Sequence, residues 1–340
     1  MRVYRIGDEG HEVLDIQQRL VSIGYALPSS ELTGRFGPDT TAAVRAFQAD
    51  RNLREDGLVG PDTWMQLVEA GFRLGDRTLY LRAPHFRGDD VRTLQRKLNA
   101  LGFDAGKEDG VHGPGTDRAV HEFQHNVGEQ PDGVVGLHTI GMLERMRPLE
   151  DVPGRALVRE AEQLRETRGG YAGQVVAIDL GDGPEGDQAG ARLAIASTLA
   201  DRLSMLGAKP LVVTEPGASP SDRARVANEM DAAVCLSLHL GIESPEAGGP
   251  TCSYFGSGNT HSPAGRHLAQ LILDELERAL GRRGRLERLT IGMLRETRMP
   301  AVQIEPFVVA NAFEAALLDD PASVDLVVGA IAAGVRRFFL

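Results

Sequence analysis

Apolar residues recur at helical spacing near the start of the chain, and the same pattern returns further along. The segments EVLDIQQRLVSIGY (12–25) and DVRTLQRKLNALGF (90–103) superimpose, with apolar residues separated by three and four positions. That spacing is typical of one face of an α-helix, and Gly24 and Gly102 are expected to end the two helices. The pattern therefore predicts a repeated helical unit.

Two further motifs recur in the same order. GRFGPDTTAAVRAFQ (34–48) aligns with GVHGPGTDRAVHEFQ (110–124), and EDGLVGPDTWMQL (55–67) aligns with PDGVVGLHTIGML (131–143). Each repeat predicts a helix, a glycine-proline loop, a second helix that ends in Phe-Gln, a glycine-rich turn and a short third helix. The first part of the chain is therefore predicted to hold two small three-helix modules.

Four residues of these modules have specific expected roles. Phe47 and Phe123 close the predicted second helices and are expected in the cores of their modules. Thr63 and Thr139 stand near the start of the third helices, where a hydroxyl side chain commonly accepts a hydrogen bond from the first turn. We expect these two threonines to be helix N-caps.

The hydrophobic pattern changes after RMRPLEDVPGRAL (145–157), a proline-containing linker. Short apolar runs then alternate with longer amphipathic stretches, which predicts alternating strands and helices. The predicted strands lie at 175–180, 210–214, 233–239, 251–255 and 301–305, and the predicted helices lie around 190–206, 220–231, 263–281 and 322–338. This order is typical of an α/β domain with a mostly parallel sheet.

The fold class predicted from these patterns is multidomain, with two helical modules followed by an α/β domain. We expect the first module at residues 1–72 and the second at 80–147. A linker and leading helix are expected at 148–172, and the α/β domain at 173–340.

Composition excludes several classes of partner. The net charge of −11 repels a polyphosphate backbone, so no nucleic acid partner is expected. No apolar segment reaches the length of a membrane span, and the first residues lack an apolar run behind a basic head, so a cytoplasmic protein is expected. Cys235 and Cys252 lie in apolar runs and are expected to be buried core thiols.

Three predicted strands end in residues that carry candidate chemistry. Asp182 follows VVAIDL, His239 ends AVCLSLH and Glu305 ends AVQIE. Ligands of parallel sheets collect at the carboxyl ends of the strands, so these side chains are expected at a common edge. Two carboxylates and one imidazole are ligands from which hydrolytic metal sites are built.

The loop VVAIDLGDGPEG (175–186) leaves three interpretations open: a phosphate cradle, one corner of a metal site, or the remains of a metal site. A phosphate would need backbone amides and a lysine where this loop carries acidic residues, so the phosphate cradle is the weakest of the three.

The two helical modules resemble the peptidoglycan-binding domain of type 1, a small three-helix module attached to many cell-wall hydrolases. Residues 173–340 resemble the zinc-dependent N-acetylmuramoyl-L-alanine amidases of the type-3 amidase fold. The segments that carry this second resemblance are IDLGDG (178–183), RARVAN (223–228), SLHLG (237–241) and MPAVQIEPFVVAN (299–311).

The amidase resemblance implies a zinc ion held by His, Glu and His, with a further Glu as general base. It aligns Asp182 with the first histidine and Gln188 with the glutamate ligand. His239 keeps the second histidine and Glu305 keeps the general base. Since Zn²⁺ prefers imidazole nitrogen and charged donors, Asp182 and Gln188 predict an incomplete metal site.

Alternatives remain open at each of these positions. Glu185 or Asp187, in the same loop, could complete a ligand set with Asp182. His239 could be a core histidine bonded to backbone, and Glu305 could cap neighbouring backbone amides.

The order of modules, with the altered metal positions, resembles the CwlM-type proteins of actinobacteria. That resemblance implies a cytoplasmic, non-catalytic regulator of peptidoglycan precursor synthesis that needs no cofactor. The implied partners are the UDP-N-acetylglucosamine enolpyruvyl transferase or other peptidoglycan-synthesis proteins, and peptidoglycan fragments. The alternative is a zinc amidase that cleaves the bond between muramic acid and L-alanine, with Glu305 as its catalytic base.

Overall fold

The computed structural model describes residues 2–146, 170–181, 187–214, 218–241, 248–257 and 260–340, with the side chains of 187–189 left out. The chain forms two compact units, Met1–Arg159 and Glu160–Leu340. The first is helical and the second is α/β, so the predicted fold class is confirmed. Most of the predicted linker and leading helix at 148–172 lies outside the described residues.

The described part of the first unit contains two successive sets of three helices. These are α1 His11–Ser22, α2 Pro38–Asp50, α3 Pro61–Glu69, α4 Asp89–Ala100, α5 Pro114–Asn126 and α6 Leu137–Arg145. The first helix of each set ends shortly before Gly24 or Gly102, whose φ angles of 102° and 87° are left-handed and favour glycine. Phe47 and Phe123 are fully buried, which confirms them as core residues.

The predicted threonine caps are wrong. Helices α3 and α6 begin directly after Gly60 and Gly136, and neither glycine can offer a side-chain cap. Thr63 and Thr139 lie one turn too far into the helix to cap it, and both are buried. Their hydroxyls instead accept hydrogen bonds from glutamine side chains of the preceding helix.

Buried glutamines bind the loops between the helices of the first unit. The Oε1 atom of Gln48 accepts the backbone N–H of Gly57 at 2.8 Å, and its Nε2 donates to the Leu58 carbonyl at 2.9 Å and to the Thr63 hydroxyl at 3.1 Å. The same contacts, to a glycine N–H, a carbonyl and a threonine, recur at Gln17, Gln95 and Gln124. Each module therefore contains two copies of one helix-and-loop unit.

The second unit is built around a seven-stranded sheet. Its strands are β1 Val175–Asp179, β2 Lys209–Val213, β3 Val234–Leu238, β4 Thr251–Ser257, β5 Thr260–His261, β6 Arg285–Leu289 and β7 Ala301–Glu305. Its described helices are α7 Asp187–Met205, α8 Pro220–Glu229, α9 Pro263–Leu280, α10 Gly292–Glu296, α11 Ala312–Leu318 and α12 Pro321–Phe338.

The strand order is β2-β1-β3-β7-β4-β5, with β6 paired to β4. Strands β2, β1, β3 and β7 run parallel, whereas β4 is antiparallel to β7, so the sheet is mixed but mostly parallel as predicted. The sequence analysis missed β6, because its RLERL run has alternating charges rather than an apolar pattern.

The two faces of the sheet bury separate cores. Val176 and Ile178 of β1 join a large core with α7, α9 and α12, while Ala177 between them joins a smaller core with α8 and α10. This division follows from the alternation of side chains along a strand. Cys235 and Cys252 are both buried, as predicted. None of the described helices is long and apolar enough to cross a membrane.

Candidate functional site

The carboxyl ends of β3 and β7 place His239 and Glu305 side by side. The parallel register pairs Leu238 with Ile304, so the next residue of each strand is also adjacent, and the His239 N–H donates to the Ile304 carbonyl at 2.9 Å. The two strands stay together beyond this point, because the N–H of Gly241 donates to the Phe307 carbonyl at 2.8 Å. One imidazole and one carboxylate thus share this edge of the sheet.

A buried chain of hydrogen bonds leads from His239 into the protein. The Ser237 hydroxyl donates to Asp179 Oδ2 at 2.5 Å and lies 3.0 Å from His239 Nε2. Since a hydroxyl has one hydrogen and Ser237 gives it to the carboxylate, the Nε2 of a neutral His239 must carry the proton and donate to Ser237. This assignment leaves Nδ1 as the ring nitrogen with a lone pair.

Arg223 completes the chain at its buried end. Its Nε donates to Asp179 Oδ1 at 2.7 Å, and its Nη1 donates to the Ala218 carbonyl at 2.7 Å. Asp179 is 0% exposed and Arg223 is 5% exposed, so the ion pair is removed from water. Arg223 can reach this point because α8 starts at a capping box formed by Ser219 and Asp222, which fixes its first turn beside the strand ends.

Gly181 packs directly against the His239 ring. Its φ is 63°, a left-handed conformation that favours glycine, and an added Cβ would overlap His239 Nε2. The glycine of the β1 loop is therefore required both by the backbone angle and by the closeness of the imidazole.

Glu305 lies in an almost fully buried environment. It is 3% exposed, and its Oε1 accepts a hydrogen bond from Gln303 Nε2 at 2.8 Å. The pKa of the Cys252 thiol, on the neighbouring strand β4, is raised by burial and then by the negative charge of Glu305. Cys252 is therefore a neutral core thiol and not a nucleophile.

The structure brings together two of the four predicted site residues. His239 and Glu305 lie at the same edge, at the end of their strands, as the sequence analysis expects. Asp182 lies outside the described residues, and so does the side chain of Gln188 on α7. The side chains of Glu185 and Asp187, the alternative ligands from the same loop, also lie outside the described part.

Sequence reasoning overlooked Asp179, Ser237 and Arg223. Their signal was present, since an aspartate ends the apolar run VVAID, a serine interrupts CLSLH and an arginine opens RARVAN. A charged or hydroxyl side chain inside a buried run usually has a buried partner. Pairing these residues with one another, however, requires the strand order.

The comparisons with known proteins agree with this architecture. Residues 9–67 and 87–143 match the model of a peptidoglycan binding domain, and residues 182–337 match the model of N-acetylmuramoyl-L-alanine amidase. The chain is 34% identical over 364 residues to the N-acetylmuramoyl-L-alanine amidase CwlM of Mycobacterium tuberculosis, a match that covers 99% of this chain and 89% of that protein.

The chain belongs to the N-acetylmuramoyl-L-alanine amidase family. It is also 31% identical over 164 residues to the amidase CwlL of Bacillus licheniformis, covering 42% of this chain and 46% of that protein. The catalytic domain of the amidase CwlV from Bacillus (Paenibacillus) polymyxa is a structural neighbour with a TM-score of 0.44 and 24% identity, covering 48% of this chain and 97% of that one. The predicted order of two peptidoglycan-binding modules followed by an amidase domain is confirmed.

Members of this amidase family typically use zinc, so the donors at the strand edge can be tested against that metal. The described residues supply one imidazole from His239 and one carboxylate from Glu305. Within the described ranges, no cluster of three or more His, Cys, Asp or Glu side chains could hold a metal ion. These residues alone do not fit a zinc site, which needs at least three protein ligands.

Proposed function

We propose that this amidase-family protein is a non-catalytic regulator of peptidoglycan precursor synthesis, which binds protein partners or muropeptide-like ligands. The observation that carries the proposal is the sequence at two ligand positions. By the resemblance to the amidase family, Asp182 stands where that family has a histidine and Gln188 where it has a glutamate. The aspartate offers oxygen on a shorter side chain, and the glutamine offers only a neutral carbonyl, so affinity for Zn²⁺ falls.

The hydrogen-bond chain behind His239 supports the proposal. The charge of Asp179 is balanced by Arg223, and the polar atoms of Ser237 have partners within the protein. The strand ends are therefore held together by protein contacts alone. A fold stabilised in this way keeps the amidase surface for binding without needing a metal ion.

One observation favours the alternative of a zinc amidase. His239 is oriented by a serine and a buried aspartate, an arrangement that resembles the outer contacts of metal-binding histidines. Glu305 stands beside it, where a general base is needed. In that case Asp182 and one further acidic residue would complete the ligand set, and the metal would polarise the amide carbonyl and a water molecule.

Zinc content and amidase activity separate the two functions. Protein purified without chelator should carry well under one zinc per chain by elemental analysis, and it should release no L-alanine-linked peptide from muropeptides at neutral pH. The double variant Asp182→His, Gln188→Glu should bind more zinc. Stoichiometric zinc with muropeptide cleavage, both lost in His239→Ala but kept in the control His261→Ala, would establish the amidase instead.

Partner binding tests the regulatory half of the proposal. Purified UDP-N-acetylglucosamine enolpyruvyl transferase should form a complex with the full chain in sedimentation experiments, and its turnover should change when the chain is added. Isothermal titration with muropeptides tests the second class of ligand. A chain that binds neither the transferase nor a muropeptide, and alters no other enzyme of precursor synthesis, would contradict a regulatory role.

A further inference from the structure

A groove lies on the surface of the second unit between the carboxyl-terminal ends of α7 and α12. Its volume is about 330 Å³, and Gly329, Ala332 and Ala333 of α12 contribute to its lining. Leu206, just after α7, and Leu340, just after α12, line it as well. Because the α12 residues are small, a further helix can come close to this surface.

The groove is remote from the strand edge that carries His239 and Glu305. Helix α7 follows the carboxyl end of β1 and leads back to the amino end of β2, so its last turn lies at the opposite edge of the sheet. Tyr171, which precedes β1, packs against Phe339, which follows α12, and this contact places the end of α12 at the same edge. A ligand in the groove would therefore leave the amidase edge accessible.

Three arginines surround the groove in a chain whose net charge is −11. Arg202 is paired with Asp325 at 2.5 Å, and Arg337 is paired with Glu275 at 2.8 Å, in both cases at partly exposed positions. Arg336 is exposed and makes no ion pair with any described residue. Two of the three arginines are therefore matched by acidic residues of the unit, and Arg336 supplies the positive charge at the rim that an acidic partner can pair with.

Apolar side chains next to these arginines are exposed to solvent. Met205 is 83% exposed and Leu340 is 77% exposed, while Leu206 is 38% exposed. Covering such side chains is favourable by about 25 cal/mol for each Å² of apolar surface removed from water. Adjacent exposed apolar residues with a charged rim are typical of protein interaction surfaces.

We propose that this groove binds an amphipathic helix of a partner protein, with an apolar stripe on the face that enters the groove and acidic residues beside it. The apolar stripe would cover Met205, Leu206 and Leu340. The acidic residues would pair with Arg336, and they would compete with Asp325 and Glu275 for Arg202 and Arg337. This inference rests on the proposed regulatory function, and it identifies the surface on which the regulator would bind a protein partner.

Fluorescence polarisation with the full chain tests the proposal. The probe is a fluorescein-labelled designed helix of about 16 residues, with a leucine stripe flanked by glutamates, and the control probe has lysine in place of each glutamate. The glutamate probe should bind, and Arg336→Glu should weaken it at least about tenfold. Ala333→Trp, which fills the groove without changing charge, should do the same, whereas Arg225→Glu on α8 should have no effect. Thermal unfolding of each variant checks that it folds.

Hydrogen exchange of the complex should show protection at the ends of α7 and α12. The proposal is overturned if the glutamate probe does not bind, if the lysine probe binds equally, or if protection lies elsewhere. Loss of self-association in Arg336→Glu would overturn the proposal, because the occupant would then be a second copy of the chain. Loss of binding to phosphatidylglycerol vesicles in the same variant would also overturn it, because the surface would then be a lipid site. None of these readouts involves zinc, muropeptides or the transferase, so failure here leaves the proposed function standing.

Discussion

His112 occupies an apolar position in the core of the second module, and replacing it with leucine should stabilise that module. The equivalent positions of the other helix-and-loop units hold Phe36, Val59 and Val135, all of them buried. His112 is 0% exposed, and neither of its ring nitrogens has a hydrogen-bond partner among the described residues. The module therefore buries one donor and one acceptor without compensation.

The size of the effect follows from these two atoms. A buried polar group without a partner costs about 1–3 kcal/mol, and leucine removes both groups. Leucine differs from imidazole in shape, and such a change in a packed core costs less than about 1.5 kcal/mol. The net gain for His112→Leu should be about 2 kcal/mol in the free energy of unfolding of the module at pH 8.

The gain should grow in acid. Burial lowers the pKa of His112. Its own backbone, Asp117 and Asp90 act in the opposite direction, and His85 adds to the lowering. Because the pKa of His112 is lower in the folded module than in the unfolded chain, the unfolded chain binds a proton first as the pH falls below the ordinary value of 6.5. The free energy of unfolding of the module is therefore not reduced by this group above pH 6.5, and it falls as the pH drops below that value. The gain from His112→Leu should therefore be larger at pH 5.5 than at pH 8.

Hydrogen exchange of the α5 amides, corrected for the intrinsic rate at each pH, measures the opening free energy of this module in the full chain. His125→Leu, which changes an exposed histidine of the same helix, is the matched control and should not alter the pH dependence. The reciprocal change Phe36→His should destabilise the first module and make it sensitive to acid. Equal protection of wild-type and His112→Leu protein at pH 5.5 would refute the reasoning.

Three further substitutions test other contacts of the structure. Arg223→Ala leaves the Asp179 carboxylate buried without its charged partner, and the second unit should lose about 3–5 kcal/mol in urea unfolding. Gly181→Ala places a methyl group against His239 Nε2 at a positive φ, so the NMR signals of that ring should shift, and unchanged signals would argue against the contact. Gln48→Ala breaks the hydrogen bonds to its loop and should cost about 3 kcal/mol; a loss below 1 kcal/mol would count against a structural role for these bonds.

In the helical half of the chain, sequence patterns predicted the helices and core residues correctly but not the partners of the buried polar side chains. The spacing of apolar residues located each helix, and the repeats placed Phe47 and Phe123 in the two cores, because amphipathic periodicity is a local property. The roles of Thr63 and Thr139 were assigned wrongly, because a threonine near a helix start is usually a cap. Their true partners are glutamines in another helix, which only the packing of helices brings into reach.

In the α/β half too, the sequence predicts some features and the tertiary structure decides others. Alternating strands and helices determined the fold class and the strand ends that carry His239 and Glu305, since buried strands have a recognisable run of apolar residues. From the resemblance to the amidase family, the sequence also predicts that Asp182 and Gln188 stand at zinc-ligand positions. The connection of His239 through Ser237 to Asp179 and Arg223 depends on which strands are neighbours. Strand order is a long-range property that no local pattern records, so only the tertiary structure decided it.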